Sequence, residues 1–259
     1  MPTFIHQTAI VSPNAKIGAD CHIGAFSVIG DEVVLGDKVH LESHVVIEGN
    51  TKIGDETRVF PFVSIGLAPQ DLKYQGEPTR TEIGARNHIR EFVTVHRGTK
   101  GGGGLTKIGD DNLLMAQAHV AHDCQLGNEI IMANAATLAG HVEIADRANI
   151  GAYSGVHQFC RVGLEAFVGG YSVVVKDAPP FAVIQGNHAK CYGLNRVGMK
   201  RRGYAKEVIE KLHRAYHLLL SAKLNTTQAL EKIKQEISDC PEVDLLVDFI
   251  ETSKRGVVK

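Results

Sequence analysis

The sequence predicts a mainly β protein: a parallel β-helix built from six-residue repeats, followed by a C-terminal α-helical domain. Two observations carry this. An aliphatic residue recurs at every sixth position through most of the 259 residues, a period that suits neither an α-helix at 3.6 nor a plain strand at 2. From about residue 198 that period gives way to apolar residues at helical spacing.

The repeat starts at Ile5 and runs without a miss through Val11, Ile17, Ile23, Ile29, Leu35, Leu41, Ile47, Ile53, Val59 and Ile65. It returns at Ile83, Ile89 and Val95, shifts by one, and continues from Ile108 to Val174. Many of these aliphatics are followed by glycine, and small or β-branched residues such as Ala118, Cys124, Ala136, Ser154 and Cys160 sit two positions before them. Short strands separated by sharp bends, three to a triangular coil, place such an aliphatic inward on every face, with the glycines and small residues expected to allow the corners. At 18 residues per coil the repeats make about nine coils, a prism on the order of 40 Å long. Cys21, Cys124 and Cys160 fall in the inward small-residue column and are expected to pack rather than react.

Two segments interrupt the period and are expected to loop out of the prism. Residues 66–82 insert twelve residues and residues 96–107 insert seven. The second holds four consecutive glycines without the Gly-Lys-Ser/Thr ending of a P-loop, so flexibility is the expected reading rather than phosphate binding. Ala178-Pro179-Pro180 is expected to stop the coil. The prism is thus expected over residues 1–190 and the helical domain over 191–259. Within that domain Val208, Ile209, Leu212, Tyr216, Leu219 and Leu220 share one helical face; a second helix is expected from Thr226 or Thr227 as N-cap, and a third from Pro241 in its first turn. Exposed prism faces and an open coil end predict homo-oligomerisation, with the helices covering one end.

Composition narrows the function. The 28 Lys and Arg balance 29 Asp and Glu, so no global field draws the chain to nucleic acid or an anionic membrane. No apolar run approaches the ~20 residues of a membrane span, and MPTFIHQTAI lacks a signal-peptide pattern, which predicts a cytoplasmic protein without a transmembrane segment. Five scattered cysteines without a CxxC pair argue against a disulfide framework and a cysteine-rich zinc site.

The chemistry concentrates in the histidines. His119, His122, His141 and His157 lie along the repeats with Asp123 and Gln158. Eighteen residues carry a position straight up one coil, so His122 is expected beneath Gly140 and Gln158, and Asp123 beneath His141. A zinc site from His119, His122 and His141 is one option. A general base is the other: a neutral imidazole held in its tautomer by Asp123, with the Gly140 N–H facing a developing oxyanion, suits acyl transfer from a thioester. Solvated surface is the third reading. Lys200-Arg201-Arg202 is a basic run suited to a diphosphate or an acidic partner.

Hexapeptide solenoids of this kind resemble the left-handed β-helix family. More specifically, HVAHDCQLGN (119–128), ATLAGHVEI (136–144), VHQFCRVG (156–163), QDLKYQGEPTR (70–80), QGNHA (185–189) and NRVGMKRRG (195–203) together resemble the acyl-ACP:UDP-N-acetylglucosamine O-acyltransferases that begin lipid A synthesis. The resemblance spans the chain. It implies a homotrimer with active sites between subunits that needs no cofactor and no metal and moves a 3-hydroxyacyl chain from acyl carrier protein to the 3-position of the UDP-sugar or its 3-amino analogue. It implies His122 as general base, Asp123 as its orienting partner and Gly140 as oxyanion donor. His119, His141 and His157 would position substrates, and Asp71, Gln158, Asn195, Arg201 and Arg202 would hold the nucleotide sugar, with Gln70 and Lys73 in the same cleft. Gly170 and His188 would lie at the far end of the acyl groove. A related N-acyltransferase carries an additional N-terminal domain, which a repeat beginning at Ile5 leaves no expectation of here.

Overall fold

The structure, a computed structural model, describes residues 2–220 and 223–259; residues 1, 221 and 222, which fall within the two expected domains, lie outside the described residues. The chain winds as a left-handed parallel β-helix whose strands are mostly two residues long. Three sheets form the faces of the prism. Among the described residues face 1 begins at Phe4–Ile5 and has 11 strands, face 2 begins at Ile10–Val11 and has 9, and face 3 begins at Lys16–Ile17 and has 8. Apart from the last strand of face 1, the strands pair in parallel with their counterparts one coil away, His119 with Thr137 and Val120 with Leu138 for example.

The expected inward column is the core. Ile23, Leu41, Ile47, Val59, Ile65, Leu114, Leu138 and Val174 are fully buried, and the small residues Ala118, Ala136 and Ala148 lie among them. In the first coil the column is less covered: Ile5 is exposed, and Val11 and Ile17 are half-buried. Cys21, Cys124 and Cys160 are buried in this core. Burial pushes the Cys124 thiol up to about 12 and the Cys160 thiol up to about 11, so both stay protonated and serve as packing groups.

Glycine at the corners has a different reason from the one expected. The left-handed backbone conformation falls three residues after most of the aliphatics, and there the residue is usually not glycine: Asp20, Phe26, Lys38, His44, Asp123, His141 and Phe159 all have φ between 56° and 62°. Each costs on the order of 1 kcal/mol. Hydrogen bonds between coils offset it, as where Lys38 N–H donates to the Ala19 carbonyl at 2.7 Å and His141 N–H to the His122 carbonyl at 3.0 Å. The glycine directly after the aliphatic answers to space. A Cβ on Gly18 would lie 2.4 Å from the Gly36 carbonyl oxygen, and one on Gly109 would lie 2.5 Å from that of Gly127.

The coil does not stop at Pro179-Pro180. Ala178 still bridges in parallel to Val162, and Ala182–Gln185 adds one more parallel strand to face 1 before Lys190–Leu194 turns back antiparallel on it. Four helices follow: α1 (Arg196–Arg201), α2 (Lys206–Leu220), α3 (Thr226–Glu236) and α4 (Pro241–Glu251). The expected apolar face of α2 is buried at Ile209, Leu212, Tyr216 and Leu219, and half-buried at Val208 and Leu220. The Tyr216 hydroxyl donates to the Pro180 carbonyl, and the buried residues of the helices join those of the prism in one core that covers the last coil. The N-cap of α3 is Asn225, not Thr226 or Thr227: its side chain accepts the Gln228 N–H and Gln228 reciprocates, a capping box. Pro241 opens α4 as expected.

Because the glycines answer to space, Gly109→Ala should lower stability by about 1–3 kcal/mol. Gly155→Ala, where a Cβ meets nothing within 4 Å, should stay within about 0.5 kcal/mol of the wild type. Denaturant midpoints of the two variants test the distinction.

Candidate active site

Both interruptions of the repeat emerge at one place. The segment after Ser64–Leu67 and the segment after Thr94–His96 each run from face 2 to face 3. The corners carrying His122, Gly140 with His141, and His157 with Gln158 lie on that same edge, stacked coil upon coil. A linear pattern of loops and histidines thus becomes a vertical cleft on the 2/3 edge.

At its centre His122 Nδ1 lies 2.8 Å from Asp123 Oδ2. Asp123 is 4% exposed, which departs from the reading of these positions as solvated surface. Its carboxylate accepts the Thr99 N–H at 2.8 Å through Oδ1 and the Thr99 hydroxyl at 2.6 Å through Oδ2, and its own N–H donates to Thr106 Oγ1. A carboxylate can only accept, so Nδ1 of a neutral His122 carries the proton and Nε2 keeps its lone pair. Gly140 lies against the ring: a Cβ there would come 2.7 Å from His122 Nε2 and 2.5 Å from Cε1. The Gly140 N–H has no acceptor among the described residues.

Within the glycine run of residues 101–104, Gly101 and Gly103 are exposed and face open space, whereas Gly102 packs against Asp123. Lys100–Gly102 form a 3-10 turn, and a Cβ on Gly102 would fall 2.0 Å from Asp123 Cγ, with one on Gly98 2.8 Å from Asp123 Oδ1. Glycine there lets the backbone close over the carboxylate. Thr99, Gly102 and Thr106 were not singled out from sequence; a Gly-rich insertion with flanking threonines next to a histidine-acid pair is the signal that could have found them.

The other histidines surround this pair. His141 stands edge-on to His122 with ring centres 5.1 Å apart and stacks on Phe159 at 4.4 Å. Burial lowers its pKa, His122 adds to the lowering, and the Asp123 and Asp71 carboxylates oppose it. Asp71 stands on the first loop and with Lys73 lines a cavity shared with Thr99 and Gly101; its Oδ1 accepts the Lys73 N–H. Gln70 and Lys73 are exposed beside it. His119 is fixed by Thr94 Oγ1 at 2.6 Å and packs edge-on against His96; burial and His122 lower its pKa. His157 and Gln158 are exposed one coil above Gly140.

Other expected residues stand elsewhere on the protomer. Asn195 caps α1, where it accepts the Gly198 N–H and donates to the Glu165 carbonyl. Arg202 pairs with Glu129 at 3.2 Å and with buried Glu165 at 3.6 Å, on the edge between faces 3 and 1, and Arg201 is exposed beside it. Gly170 lies on the edge between faces 1 and 2, and His188 lies in the turn after Ala182–Gln185. A Cβ on Gly170 would meet only Ala152, its oxygen at 3.2 Å, whereas Gly169 is closed off by Gln185.

Among the described residues one group of three has ligand atoms close enough for a metal ion: His122, Asp123 and His141, all within 4.8 Å of one another. His119 is not part of it. Both Asp123 oxygens are already engaged by Thr99 and His122, so the set suits an oriented imidazole better than a cation. No helix among the described residues is long and apolar enough to cross a membrane.

Residues 177–258 match the family model described as UDP-N-acetylglucosamine O-acyltransferase, domain 2. Three solved structures are similar over nearly the whole chain. LpxA from Acinetobacter baumannii is 45% identical, with 98% of this chain and 99% of that one covered and a TM-score of 0.96. The Bacteroides fragilis UDP-N-acetylglucosamine acyltransferase is 40% identical, with 99% and 100% covered and a TM-score of 0.97. The Moraxella catarrhalis enzyme is 43% identical, with 98% and 99% covered and a TM-score of 0.95. The chain belongs to the UDP-N-acetylglucosamine O-acyltransferase family. Family membership extends over prism and helices alike, since the family model falls on the end of the coil and the helices, while the histidine cleft lies in the part that the solved structures cover.

Edge-on to His119, His96 is 5% exposed and its Nδ1 has no hydrogen-bond partner among the described residues. Burial, with His119 and His122 nearby, pushes its pKa down to about 4. The folded protein therefore resists a proton that the unfolded chain accepts near pH 6.5, so this group lowers stability as pH falls from about 6.5 toward 4 and is neutral to stability above that window. His96→Gln should recover about 2 kcal/mol relative to the wild type at pH 5 compared with pH 7.5. Urea midpoints at the two pH values measure it; parallel pH dependences would refute it.

Proposed function

We propose that this chain transfers a 3-hydroxyacyl group from acyl carrier protein to the 3-position of UDP-N-acetylglucosamine or its 3-amino analogue, the first step of lipid A biosynthesis. The observation that carries the reading is the oriented base: His122 Nδ1 lies 2.8 Å from Asp123 Oδ2, leaving Nε2 free with Gly140 against the ring.

The chemistry follows from that geometry. The sugar hydroxyl, or amine, attacks the thioester carbonyl while His122 Nε2 takes its proton. Asp123 stabilises the imidazolium, and the Gly140 N–H faces the oxyanion of the tetrahedral intermediate. Collapse breaks the C–S bond, and the imidazolium returns the proton to the leaving sulfur. No nucleophile on the protein, cofactor or metal is required. Asp71, Gln70, Lys73, His119, His141, His157 and Gln158 line the approach on the 2/3 edge and are assigned to substrate positioning.

Asn195, Arg201, Arg202, Gly170 and His188 are assigned to the same reaction from a neighbouring subunit. A single prism presents them on edges other than the one that carries His122. Three copies about an axis parallel to the prism bring different edges together, which supports a homotrimer with shared sites. The proposed substrates place the reaction in the cytoplasm, with no nucleic acid or membrane span involved.

His122→Ala should lower kcat by about 10²–10⁴ while the protein stays folded and trimeric. Turnover of UDP-N-acetylglucosamine with a 3-hydroxyacyl carrier protein measures it, and more than a tenth of wild-type activity would exclude His122 as the base. Metal analysis of the wild type and of this variant separates the general base from a metal reading. Gly170→Met should shift preference toward shorter chains, by about 0.8 kcal/mol for each methylene displaced; a panel of donors of graded length would show an unchanged profile if the groove ends elsewhere.

A further inference from the structure

The cleft on the 2/3 edge extends above the histidines. A groove of about 590 Å³ runs from Asp123 and His141 past Gln125 and Glu143 to the C-terminal tail, where Lys254 and Arg255 close it. The tail is fastened independently of those two side chains. Asp177, 2% exposed, donates its N–H to the Gly256 carbonyl and accepts the Val258 N–H. Its carboxylate accepts the Ser253 hydroxyl at 2.8 Å and Arg161 Nε at 3.1 Å. Arg161 also donates to Thr252 Oγ1 and the Phe249 carbonyl, so its guanidinium is committed to the tail.

Among the described residues Arg255 makes two long contacts, each 3.4 Å, to His157 Nδ1 and the Val175 carbonyl, and lies beside the Cys160 thiol. Lys254 is exposed and makes no ion pair among the described residues. Two uncommitted cations therefore stand at the head of a groove whose foot holds the oriented base. His157 lies two coils above His122, which puts the head roughly 10 Å from the base.

We propose that Arg255, with Lys254 beside it, forms a phosphate-binding subsite for the phosphodiester of the arm that delivers the acyl thioester. The inference rests on the acyl-transfer reading above. Arginine suits a phosphate oxygen pair through its planar fork of donors. The walls between head and foot suit the amides of such an arm: Gln125 spends its Nε2 on the Leu105 carbonyl at 2.8 Å, which leaves its oxygen to accept, and Glu143 offers a carboxylate. The same carboxylates, Glu143 and Asp177, oppose a diphosphate more strongly than a singly charged diester. This favours the donor arm over the sugar nucleotide as the source of the phosphate.

The test compares acyl-phosphopantetheine with acyl-pantetheine, which lacks the phosphate, as donors for the wild type and Arg255→Gln. For a charge-assisted contact, the variant should raise KM about tenfold for the phosphorylated donor. KM for acyl-pantetheine, KM for the UDP-sugar and kcat should all stay within about twofold, because the tail is held by Asp177 and not by Arg255. Equal losses on both donors, no loss on either, or a raised KM for the UDP-sugar alone would overturn the proposal, the last by placing the sugar diphosphate there. Failure of the wild type to use any acyl thioester would instead sink the acyl-transfer reading. In that event calorimetric titration of 4′-phosphopantetheine and pantetheine into both proteins decides the subsite: phosphate-dependent binding weakened in Arg255→Gln supports it, and binding indifferent to phosphate or to the variant overturns it.

Discussion

The 18-residue vertical register of the coil governs the rest of the structure. Backbones stack at strand spacing, roughly 4.8 Å apart, so every residue sits above and below residues fixed by arithmetic. An aliphatic falls on an aliphatic inside, and a corner falls on a corner. The cost of a left-handed corner is tolerated because its amide finds an acceptor one coil below, the His122 carbonyl for His141 and the Thr106 hydroxyl for Asp123. The glycines that follow the aliphatics exist because the next coil's carbonyls come within 2.4–2.5 Å of where a Cβ would stand, as at Gly18 and Gly109.

The same register builds the site. His122, Gly140 and Gln158 form one column and Asp123, His141 and Phe159 the next, so groups far apart in sequence become neighbours without any side chain having to reach far. An insertion changes the coil's length without disturbing the stacking above it, provided it leaves and returns at one corner. Both insertions use the 2/3 corner. The 97–104 segment then folds onto Asp123 and removes that carboxylate from water, where it holds the His122 tautomer with little competition from solvent.

The helical domain plays a different part. It covers the last coil through Tyr216, Leu212 and Met199 and, through α4 and the tail, extends the 2/3 cleft upward to Arg255. It also fixes α1 on another edge, where buried Glu165 accepts from Tyr204 and pairs with Arg147 and Arg202. The protomer thus carries polar clusters on more than one edge, the histidine column on one and Glu165 with its arginines on another.

Much of this was legible in the sequence. The six-residue period reveals the prism, its core and the column that puts Gly140 over His122, because a strict repeat makes tertiary neighbours a matter of counting. The apolar face of α2 and Pro241 at the start of α4 were legible through helical spacing and cap chemistry. Less was legible where contact, and not position, decides. The burial of Asp123 depends on Gly98 and Gly102 folding across it, and four glycines in a row read equally well as a flexible loop. The strand at Ala182–Gln185 follows a Pro-Pro pair that reads as a stop, yet face 1 still offered partners to it. Asn225 outcompeted Thr226 and Thr227 as the cap because Gln228 could reciprocate. Which residues share an edge with His122, and which stand on the other two, follows from the faces the chain visits and not from the residues themselves. The repeat by itself determined the prism and its columns; only the packing of loops, tail and helices against that prism decided which columns became a site.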